Sequence, residues 1–377
     1  MEPKIRLKGF SGDWEKTIFD NVVTINSGLD YKHLSKGNIP VYGTGGYMLS
    51  VNESLSEVDA IGIGRKGTIN KPQLLKAPFW TVDTLFFMTP KNGNDLNYLY
   101  SLSQKINWRK YDESTGVPSL SKVNIGKIEF AMPHKDEQQA IASFFQHLDS
   151  LFQSTSKKIE SLKQVKAASL QSMFPQEGET TPRVRFKGFE RKWETHKVSD
   201  LLEERREPGK MSSDYPLMAF IANVGVAEKG DRYDRSSLVS DVENKVYKKT
   251  EYGDFIYSSN NLETGSIGLN LYGKATISPV YSIFKCTDIA DAAFIGRAFV
   301  RKEFINCMIK WRQGVMYGQW RIHEDDFLKI EVSVPSLNEQ KKIGEYFTAL
   351  DNQISYQTQR LEKLKQIKSA CLDNMFV

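Results

Sequence analysis

The 377-residue sequence predicts an α/β fold. We expect two α/β domains with mixed sheets and long loops, related by an internal duplication, and two long helices that pair as a coiled coil. Three observations predict this architecture. Blocks of sequence occur twice in the same order, and each copy ends in a long helical stretch with a regular apolar seam. The segments between the blocks contain short β-branched and aromatic runs that are interrupted by Gly, Asn and Ser.

The repeat begins with RLKGFSGDWE (6–15), which returns as RFKGFERKWE (185–194) with six of ten residues identical. Two further pairs of segments share one common offset: 133–149 with 335–351, and 159–174 with 361–376. Three blocks that recur in one order indicate an internal duplication. The blocks were kept, and the segments between them diverged.

The later blocks predict two long helices. Pro133 and Pro335 prevent an earlier start, and Asp136 and Asn338 are suitable N-caps. About 38 residues at ~1.5 Å each would make a rod of roughly 57 Å. Apolar residues at alternating steps of four and three are typical of a coiled-coil seam. One seam alone fits the core face of a globular helix equally well, but two matching seams favour packing on each other. The predicted seam residues are Ile141, Phe145, Leu148, Phe152, Ile159, Leu162, Met173, Ile343, Phe347, Leu350, Ile354, Leu361, Leu364 and Met375.

The repeat also predicts the domain boundaries. Each variable middle becomes one α/β domain, each EQ-containing block becomes one long helix, and the polar segment between the halves becomes a linker. The expected order is domain 1 (1–135), long helix 1 (136–174), linker (175–181), domain 2 (182–335) and long helix 2 (336–377).

The composition by itself excludes few classes of protein. The net charge of +5 permits binding to a polyanion without requiring it. Three cysteines without a CxxC pattern predict a reducing compartment. No run of ~18 apolar residues suggests a membrane span, and the first residues lack the apolar core of a signal peptide. We therefore expect a cytoplasmic protein without a membrane partner.

Catalytic and metal-binding motifs are missing from the sequence. GIGRKG (62–67) satisfies GxGxxG, but the following TINKPQL contains Pro72, so no helix can begin there to receive a pyrophosphate. The five histidines lack metal-ligand spacing, and there is no GxSxG motif and no Pro-Pro dipeptide. We expect no catalytic residue, no metal and no cofactor in this chain. Arg65 and Lys66 are instead candidates for gripping a phosphate or a base edge.

Several loop-like stretches mix cations with amides, hydroxyls and aromatic rings. Arg and Lys suit phosphates or guanine, whereas Asn and Gln match the edge of adenine. For any single residue a solvated surface loop explains the pattern as well, and Trp108 and Trp311 are expected in the core. Recurrence at the same place in both halves favours nucleic-acid contact. The candidates are Lys32, His33, Thr44, Arg65, Lys66, Thr68, Asn70, Lys71, Arg109, Lys110, Ser114, Thr115, Arg205, Arg206, Lys210, Asn260, Asn261, Thr264, Lys274, Arg312, Gln313, Tyr317, Gln319 and Arg321.

With these features, the sequence resembles the specificity subunit of type I restriction–modification systems over essentially its whole length. The resemblance rests on the KGF…W segments, the two variable middles, the P-x-x-x-E-Q-x-x-I blocks that begin at Pro133 and Pro335, and the two helices that end in Met-Phe. It implies that 1–135 and 182–335 are target recognition domains. Each would read one half of a split, asymmetric DNA site. The resemblance also implies that the helices form a long antiparallel two-helix coiled coil, which separates the α/β domains in a pseudo-two-fold arrangement and sets the spacer.

The resemblance also implies partners. Two modification subunits would dock on this scaffold and methylate adenine at N6 with S-adenosylmethionine. Two restriction subunits would add translocation and cleavage that depend on ATP and Mg. This chain would bind double-stranded DNA and catalyse nothing itself.

Two other classes of function remain open from the residues alone. One is a two-headed adaptor whose middles bind proteins or RNA, with the coiled coil as spacer. The other is an enzyme in its own right, which activity of the purified chain without any partner would reveal.

Overall fold

The computed structural model describes residues 1–176, 178–228, 246–314 and 320–377. The chain forms two compact units. Unit 1 contains Met1–Lys158 and Gln357–Val377, and unit 2 contains Ile159–Tyr356. The boundaries between the units fall inside the long helices, so each unit includes a segment of both.

The elements of the first half begin in unit 1 and end with the long helix α4, which runs on into unit 2. In chain order they are β1 (Glu15–Ile18), α1 (Phe19–Val22), β2 (Val23–Ser27), β3 (Lys36–Gly43), β4 (Gly46–Val51), β5 (Ala60–Gly64), β6 (Gln73–Leu75), β7 (Trp80–Thr81), β8 (Leu85–Pro90), α2 (Leu96–Lys105), a 3-10 turn (Trp108–Tyr111), α3 (Lys122–Gly126), β9 (Glu129–Met132) and α4 (Lys135–Ser172).

The elements of the second half end with the long helix α9, whose last part belongs to unit 1. They are β10 (Glu194–Lys197), α5 (Val198–Leu201), β11 (Leu202–Glu204), β12 (Pro208–Gly209), β13 (Ala219–Ile221), β14 (Gly225–Ala227), β15 (Tyr247–Thr250), β16 (Phe255–Tyr257), β17 (Ile267–Leu269), β18 (Ala275–Ile277), β19 (Ser282–Cys286), α6 (Ala292–Ala298), α7 (Lys302–Ile309), β20 (Gln313–Gly314), β21 (Trp320–Arg321), α8 (Glu324–Leu328), β22 (Glu331–Val334) and α9 (Leu337–Met375).

The larger sheets of the two units have the same strand order. In unit 1 the order is β2-β8-β5-β6, and in unit 2 it is β11-β19-β16-β17. A two-stranded pair accompanies each sheet, β1 with β9 and β10 with β22. A third sheet in unit 1, β4-β3-β7, is mixed because β3 and β7 pair in parallel. The named strand pairs of unit 2 within the described residues are antiparallel.

Within each unit, segments of α4 and α9 pack side by side in opposite directions. In unit 1 the rings of Phe145 and Phe376 lie 5.8 Å apart, and Lys368 Nζ donates to Asp149. In unit 2 the Ser169 and Tyr346 hydroxyls lie 2.9 Å apart. Residue numbers rise along one helix as they fall along the other. All of the predicted seam residues are buried or half-buried.

The long helices begin differently from the expectation. They start at Lys135 and Leu337, so Asp136 and Asn338 lie in the first turn and are not N-caps. The carbonyl oxygens of His134 and Ser336 already accept hydrogen bonds from the helical N–H groups. The proline that precedes each helix is compatible with this earlier start because it lies outside the first turn.

Each unit has its own apolar core around its larger sheet, and the long-helix segments contribute to it. The expectation that Trp108 and Trp311 are both core residues is correct for Trp108, which is 1% exposed and donates its indole N–H to the Ser103 carbonyl. It is wrong for Trp311, which is 39% exposed. Trp311 lies just beyond α7, and Phe304 and Met308 of that helix fill the core instead. No helix of the described residues is long and apolar enough to cross a membrane.

Candidate nucleic-acid interface

The repeated KGF segment is anchored to a long helix by a buried ion pair. In unit 1, Arg6 Nε and Nη2 each donate to Glu137 at 2.8 Å. In unit 2, Arg185 makes the same two-pronged contact with Glu339 at 2.8 and 2.6 Å. Both carboxylates are almost fully buried. The repeat therefore places one arginine on the first turn of each long helix, where bidentate geometry gives both strength and direction.

The glutamine that follows each of these glutamates binds two further segments. Gln138 donates to the Pro133 carbonyl at 3.0 Å and accepts from the Asp95 N–H. Gln340 donates to the Pro335 carbonyl at 3.0 Å and accepts from the Asp291 N–H. Asp95 and Asp291 are the N-caps of α2 and α6. The EQ dipeptide thus connects the start of each long helix to the N-cap of an earlier helix, α2 or α6.

The Met-Phe ends of the long helices complete each scaffold. Phe376, after α9, packs against Phe145 and Tyr98 of unit 1. Phe174, after α4, packs against Phe347 and Phe294 of unit 2. Sequence reasoning identifies these blocks as repeats but does not assign these contacts. The recurrence of Arg, EQ and Met-Phe in both halves is the signal that could have done so.

In unit 1 two loops cross above one edge of the larger sheet. Residues 65–72 connect β5 to β6, and residues 112–121 lead from the 3-10 turn into α3; together they are loop pair 1. The Leu120 N–H donates to the Arg65 carbonyl at 2.9 Å, and the Gly67 N–H donates to the Pro118 carbonyl at 2.8 Å. The crossing brings two of the predicted candidate stretches into one surface.

Loop pair 1 and its flanks expose unpaired cations. Arg65, Lys66 and Lys71 are exposed, as are Arg109 and Lys110 of the 3-10 turn. Among the described residues, none of these side chains has a carboxylate within ion-pair distance. Thr115 is exposed, whereas Thr68 and Ser114 are half-buried.

Internal hydrogen bonds brace the second loop of this pair. The Asp112 carboxylate accepts from the N–H of Ser119 at 2.9 Å and from the N–H and hydroxyl of Ser114. The Ser119 N–H, followed by that of Ser114, holds the pKa of Asp112 below its ordinary value. The lowered pKa means that these hydrogen bonds favour the charged form of the carboxylate.

The remaining candidates of unit 1 divide between two places. Thr44 lines a cavity of about 480 Å³ together with Asn70 and Lys71 of loop pair 1 and Tyr100 of α2. Lys32 and His33 lie on the loop between β2 and β3, where the His33 ring packs at 5.9 Å from Trp80. The described contacts do not connect that loop to loop pair 1.

In unit 2 the topologically equivalent loops also cross. Residues 258–266 connect β16 to β17, and residues 310–314 and 320–323 lie between α7 and α8; together they are loop pair 2. The Ile322 N–H donates to Ser259 Oγ at 3.0 Å, and the Trp320 N–H donates to Asn260 Oδ1 at 2.6 Å. Asn261 and Thr264 are exposed on the first loop, and Gln313 pairs with Arg321 across β20 and β21. The candidates Tyr317 and Gln319 lie outside the described residues.

Several predicted cations of unit 2 already have acidic partners. Arg312 is paired with Glu263 at 2.9 Å, and only 10% of its side chain is exposed. Arg205 binds Asp254 at 2.8 Å and is 11% exposed. The Arg205 guanidinium is therefore not available to DNA as a free cation, because its removal would leave the buried Asp254 carboxylate unpaired. The Arg312 guanidinium is not free because it is itself buried against Glu263.

The other predicted cations of unit 2 are more exposed. Arg206 is exposed but pairs with Glu204 at 2.7 Å. Lys274 lies 5.6 Å from the centre of the Tyr215 ring. Lys210 is exposed after β12. None of these three residues contacts loop pair 2 among the described residues, although Arg206 lies 3.9 Å from Asp325 of α8.

The described residues contain no group of three or more His, Cys, Asp or Glu side chains that could hold a metal ion.

Lys122, the first residue of α3, is an exposed cation that is not among the predicted candidates. Its Nζ lies 5.9 Å from the centre of the Phe86 ring, and Arg65 Cζ lies 5.7 Å from the same centre. Nothing in the sequence distinguishes Lys122 from other surface lysines, because its position depends on the crossing of the loops.

A family model described as the type I restriction modification DNA specificity domain matches the chain twice, over residues 12–164 and 190–366. The chain belongs to this family. The two matches agree with the internal duplication, since each covers one half. Family membership makes the chain a DNA-specificity component of a type I system and does not favour the adaptor hypothesis.

Individual relatives are distant in sequence. The specificity subunit of the type I restriction enzyme MjaVIII from Methanocaldococcus jannaschii is 24% identical over 337 residues, which cover 84% of this chain and 75% of the relative. The crystal structure of the type I restriction–modification S subunit from M. genitalium matches with a TM-score of 0.67 at 14% identity, covering 100% of this chain and 99% of that chain. This likeness shows a shared fold. The HsdS subunit from Thermoanaerobacter tengcongensis matches with a TM-score of 0.47 at 12% identity, covering 97% of both chains.

Proposed function

We propose that this chain is the subunit that gives a type I restriction–modification complex its DNA specificity, and that each loop pair reads one half of a two-part, asymmetric DNA site. One observation carries the proposal. Equivalent loops cross at equivalent places in both units, yet the side chains they expose differ. Two different readers on repeated scaffolds would recognise two different half-sites.

The chemistry of the exposed side chains suits base and phosphate contact. Among the described residues, the side-chain amides of Asn70 in unit 1 and Asn261 in unit 2 make no hydrogen bond. A free amide can donate to and accept from the edge of adenine in the major groove. The cations of loop pair 1 suit phosphate oxygens or guanine.

The catalytic steps would belong to partner subunits in the cytoplasm. We propose two modification subunits, which would use S-adenosylmethionine to methylate adenine, and two restriction subunits, which would use ATP and Mg. This chain would supply recognition and a docking scaffold and would hold none of these cofactors.

Mapping of methylated adenines tests the proposal. The chain is co-expressed with its modification subunit in a host that lacks other adenine methyltransferases, and the genome is sequenced by a single-molecule method. We expect one non-palindromic motif with two defined parts and an unread spacer. Methylation that does not depend on this chain, or binding to protein or RNA in place of duplex DNA, would contradict it.

A heptad insertion tests the role of the helices. Seven residues added to the seam of both α4 and α9 keep the apolar register and lengthen each helix by about 10 Å at ~1.5 Å per residue. We expect the spacer of the mapped motif to lengthen while both defined parts stay the same. An unchanged spacer would refute the proposal that helix length sets it.

A further inference from the structure

The two loop pairs carry opposite charges at one equivalent position. In unit 1 this position is Lys122, the first residue of α3, and in unit 2 it is Glu324, the first residue of α8. Each lies two residues after the backbone N–H that binds the crossing loop, which belongs to Leu120 in unit 1 and to Ile322 in unit 2. The same hydrogen-bonded crossing therefore presents a cation in one unit and an anion in the other.

The strand residues that contact these two side chains are also equivalent. Pro90 of β8 and Cys286 of β19 each pair with the residue that directly follows the first short helix of their unit. Four residues earlier on these strands lie Phe86 and Ser282. Phe86 lies next to Lys122 and Ser282 binds Glu324, so the two contacts can be compared directly.

In unit 1 two cations lie within cation–π distance of the same aromatic ring. Lys122 Nζ lies 5.9 Å and Arg65 Cζ lies 5.7 Å from the centre of the Phe86 ring. Phe86 is only 4% exposed, so the ring is held in place by the core. Among the described residues neither cation has a carboxylate partner. Both exposed cations therefore border the same buried ring, and an anion bound beside that ring would be attracted to each of them.

In unit 2 the charged side chains of the equivalent surface have partners within the unit. The Ser282 hydroxyl donates to Glu324 at 2.8 Å, and Arg321 lies 3.8 Å from the same carboxylate. Arg312 is held by Glu263 at 2.9 Å. A phosphate placed against Glu324 would meet a negative charge, so this surface suits neutral base edges better than the DNA backbone.

We propose that Arg65 and Lys122, held against the Phe86 ring, bind one DNA phosphodiester, and that the DNA backbone is anchored more strongly by unit 1 than by unit 2. This inference rests on the proposed function. It assigns to Lys122 a role that does not depend on base sequence, and it makes Glu324 the residue that keeps phosphate away from the equivalent position.

Salt dependence of DNA binding distinguishes this site from a base contact. Each phosphate that a protein neutralises contributes about 0.9 to the slope of log K against log salt concentration. In the complex with the modification subunit, Arg65→Gln combined with Lys122→Gln removes both cations and should lower this slope by about 0.9, both for a duplex of random sequence and for a duplex that contains the mapped site. Lys122→Gln alone should lower the slope by less, because Arg65 still contacts the shared phosphate. The preference between the two duplexes should stay the same.

Lys127→Gln is the matched control. Lys127 is exposed at the other end of α3, so the substitution makes the same change in net charge on the same short helix away from the loop crossing. It should leave the slope unchanged. An unchanged slope for the double variant, or an equal fall for Lys122→Gln and Lys127→Gln, would overturn the phosphate site. If the wild-type complex bound the two duplexes equally, the proposed function would be contradicted. The salt dependence measured with the random duplex would still test the phosphate site.

Discussion

At the start of each long helix, unit 1 and unit 2 make the same contacts, whereas at the loop pairs almost every side chain differs. Arg6 and Arg185 bind their glutamates through the same atoms, yet Lys122 in one loop pair corresponds to Glu324 in the other. The helix-start contacts are buried and hold several segments at once, so a change there would destabilise a whole unit. Many of the loop side chains are exposed and can change without loss of fold. The duplication therefore kept the scaffold and left the recognition surfaces free to diverge.

The largest expected effect comes from replacing the phenylalanine that follows each long helix. Phe376→Ala should destabilise unit 1, and Phe174→Ala should destabilise unit 2, each by about 3–5 kcal/mol, because each leaves a cavity in an aromatic cluster. Hydrogen exchange should localise the two effects to different units, so that a substitution near the C-terminus loosens the N-terminal unit.

Ile367→Ala is the control for the phenylalanine variants. Ile367 lies on α9, but 43% of its surface is exposed, so the cost should be far smaller. If Phe376→Ala loosened unit 2 and left unit 1 unchanged, the assignment of the helix ends would be wrong.

A slightly smaller effect is expected at the buried ion pairs. Arg6→Ala and Arg185→Ala should each cost about 3 kcal/mol, because each leaves a buried carboxylate without its partner. Chemical denaturation measures both. Arg183→Ala is the matched control, since its pair with Glu179 is exposed and should matter little. A large difference between the Arg6 and Arg185 variants would show that the two units do not use this contact equally.

The smallest expected effect concerns one contact between the long helices that differs between the two units. Ser169 and Tyr346 hydrogen-bond at 2.9 Å in unit 2, whereas the aligned residues of unit 1 are Cys371 and Phe144, which pack against its core. Tyr346→Phe and Ser169→Cys should each cost about 1 kcal/mol, because each leaves a half-buried partner unsatisfied. The double variant should recover part of that loss, since it restores the apolar pairing of unit 1.

A double-mutant cycle on unfolding free energies measures this coupling. Strictly additive costs would mean that the two hydroxyls do not act as a pair.

The duplication makes the scaffold predictable from sequence. Each repeated block supplies two independent copies of one pattern, so the long helices, their apolar seam and the fold class follow from the residues alone. The helix starts are misplaced by sequence reasoning because the caps are the residues directly after the prolines. The core assignment of Trp311 is wrong because Trp311 lies beyond the end of α7, and Phe304 and Met308 of that helix fill the core.

The recognition surface is less predictable, for a physical reason. Residue type identifies Arg205 and Arg312 as candidates, but their availability depends on whether a carboxylate from a distant segment pairs with them. Lys122 escapes sequence reasoning for the opposite reason, since only the loop crossing brings it to the same ring as Arg65. Pairing between distant segments is a property of the fold and leaves no local signal in the sequence.

Matched substitutions of Asn70 and Asn261 test the two-reader account most directly. An Asn–adenine contact is worth about 1–3 kcal/mol of discrimination. In the methylation map of the complex, Asn70→Ala should relax one part of the motif only, and Asn261→Ala should relax only the other part. If either substitution degraded both parts equally, or if both degraded the same part, the account of one reader per unit would be contradicted.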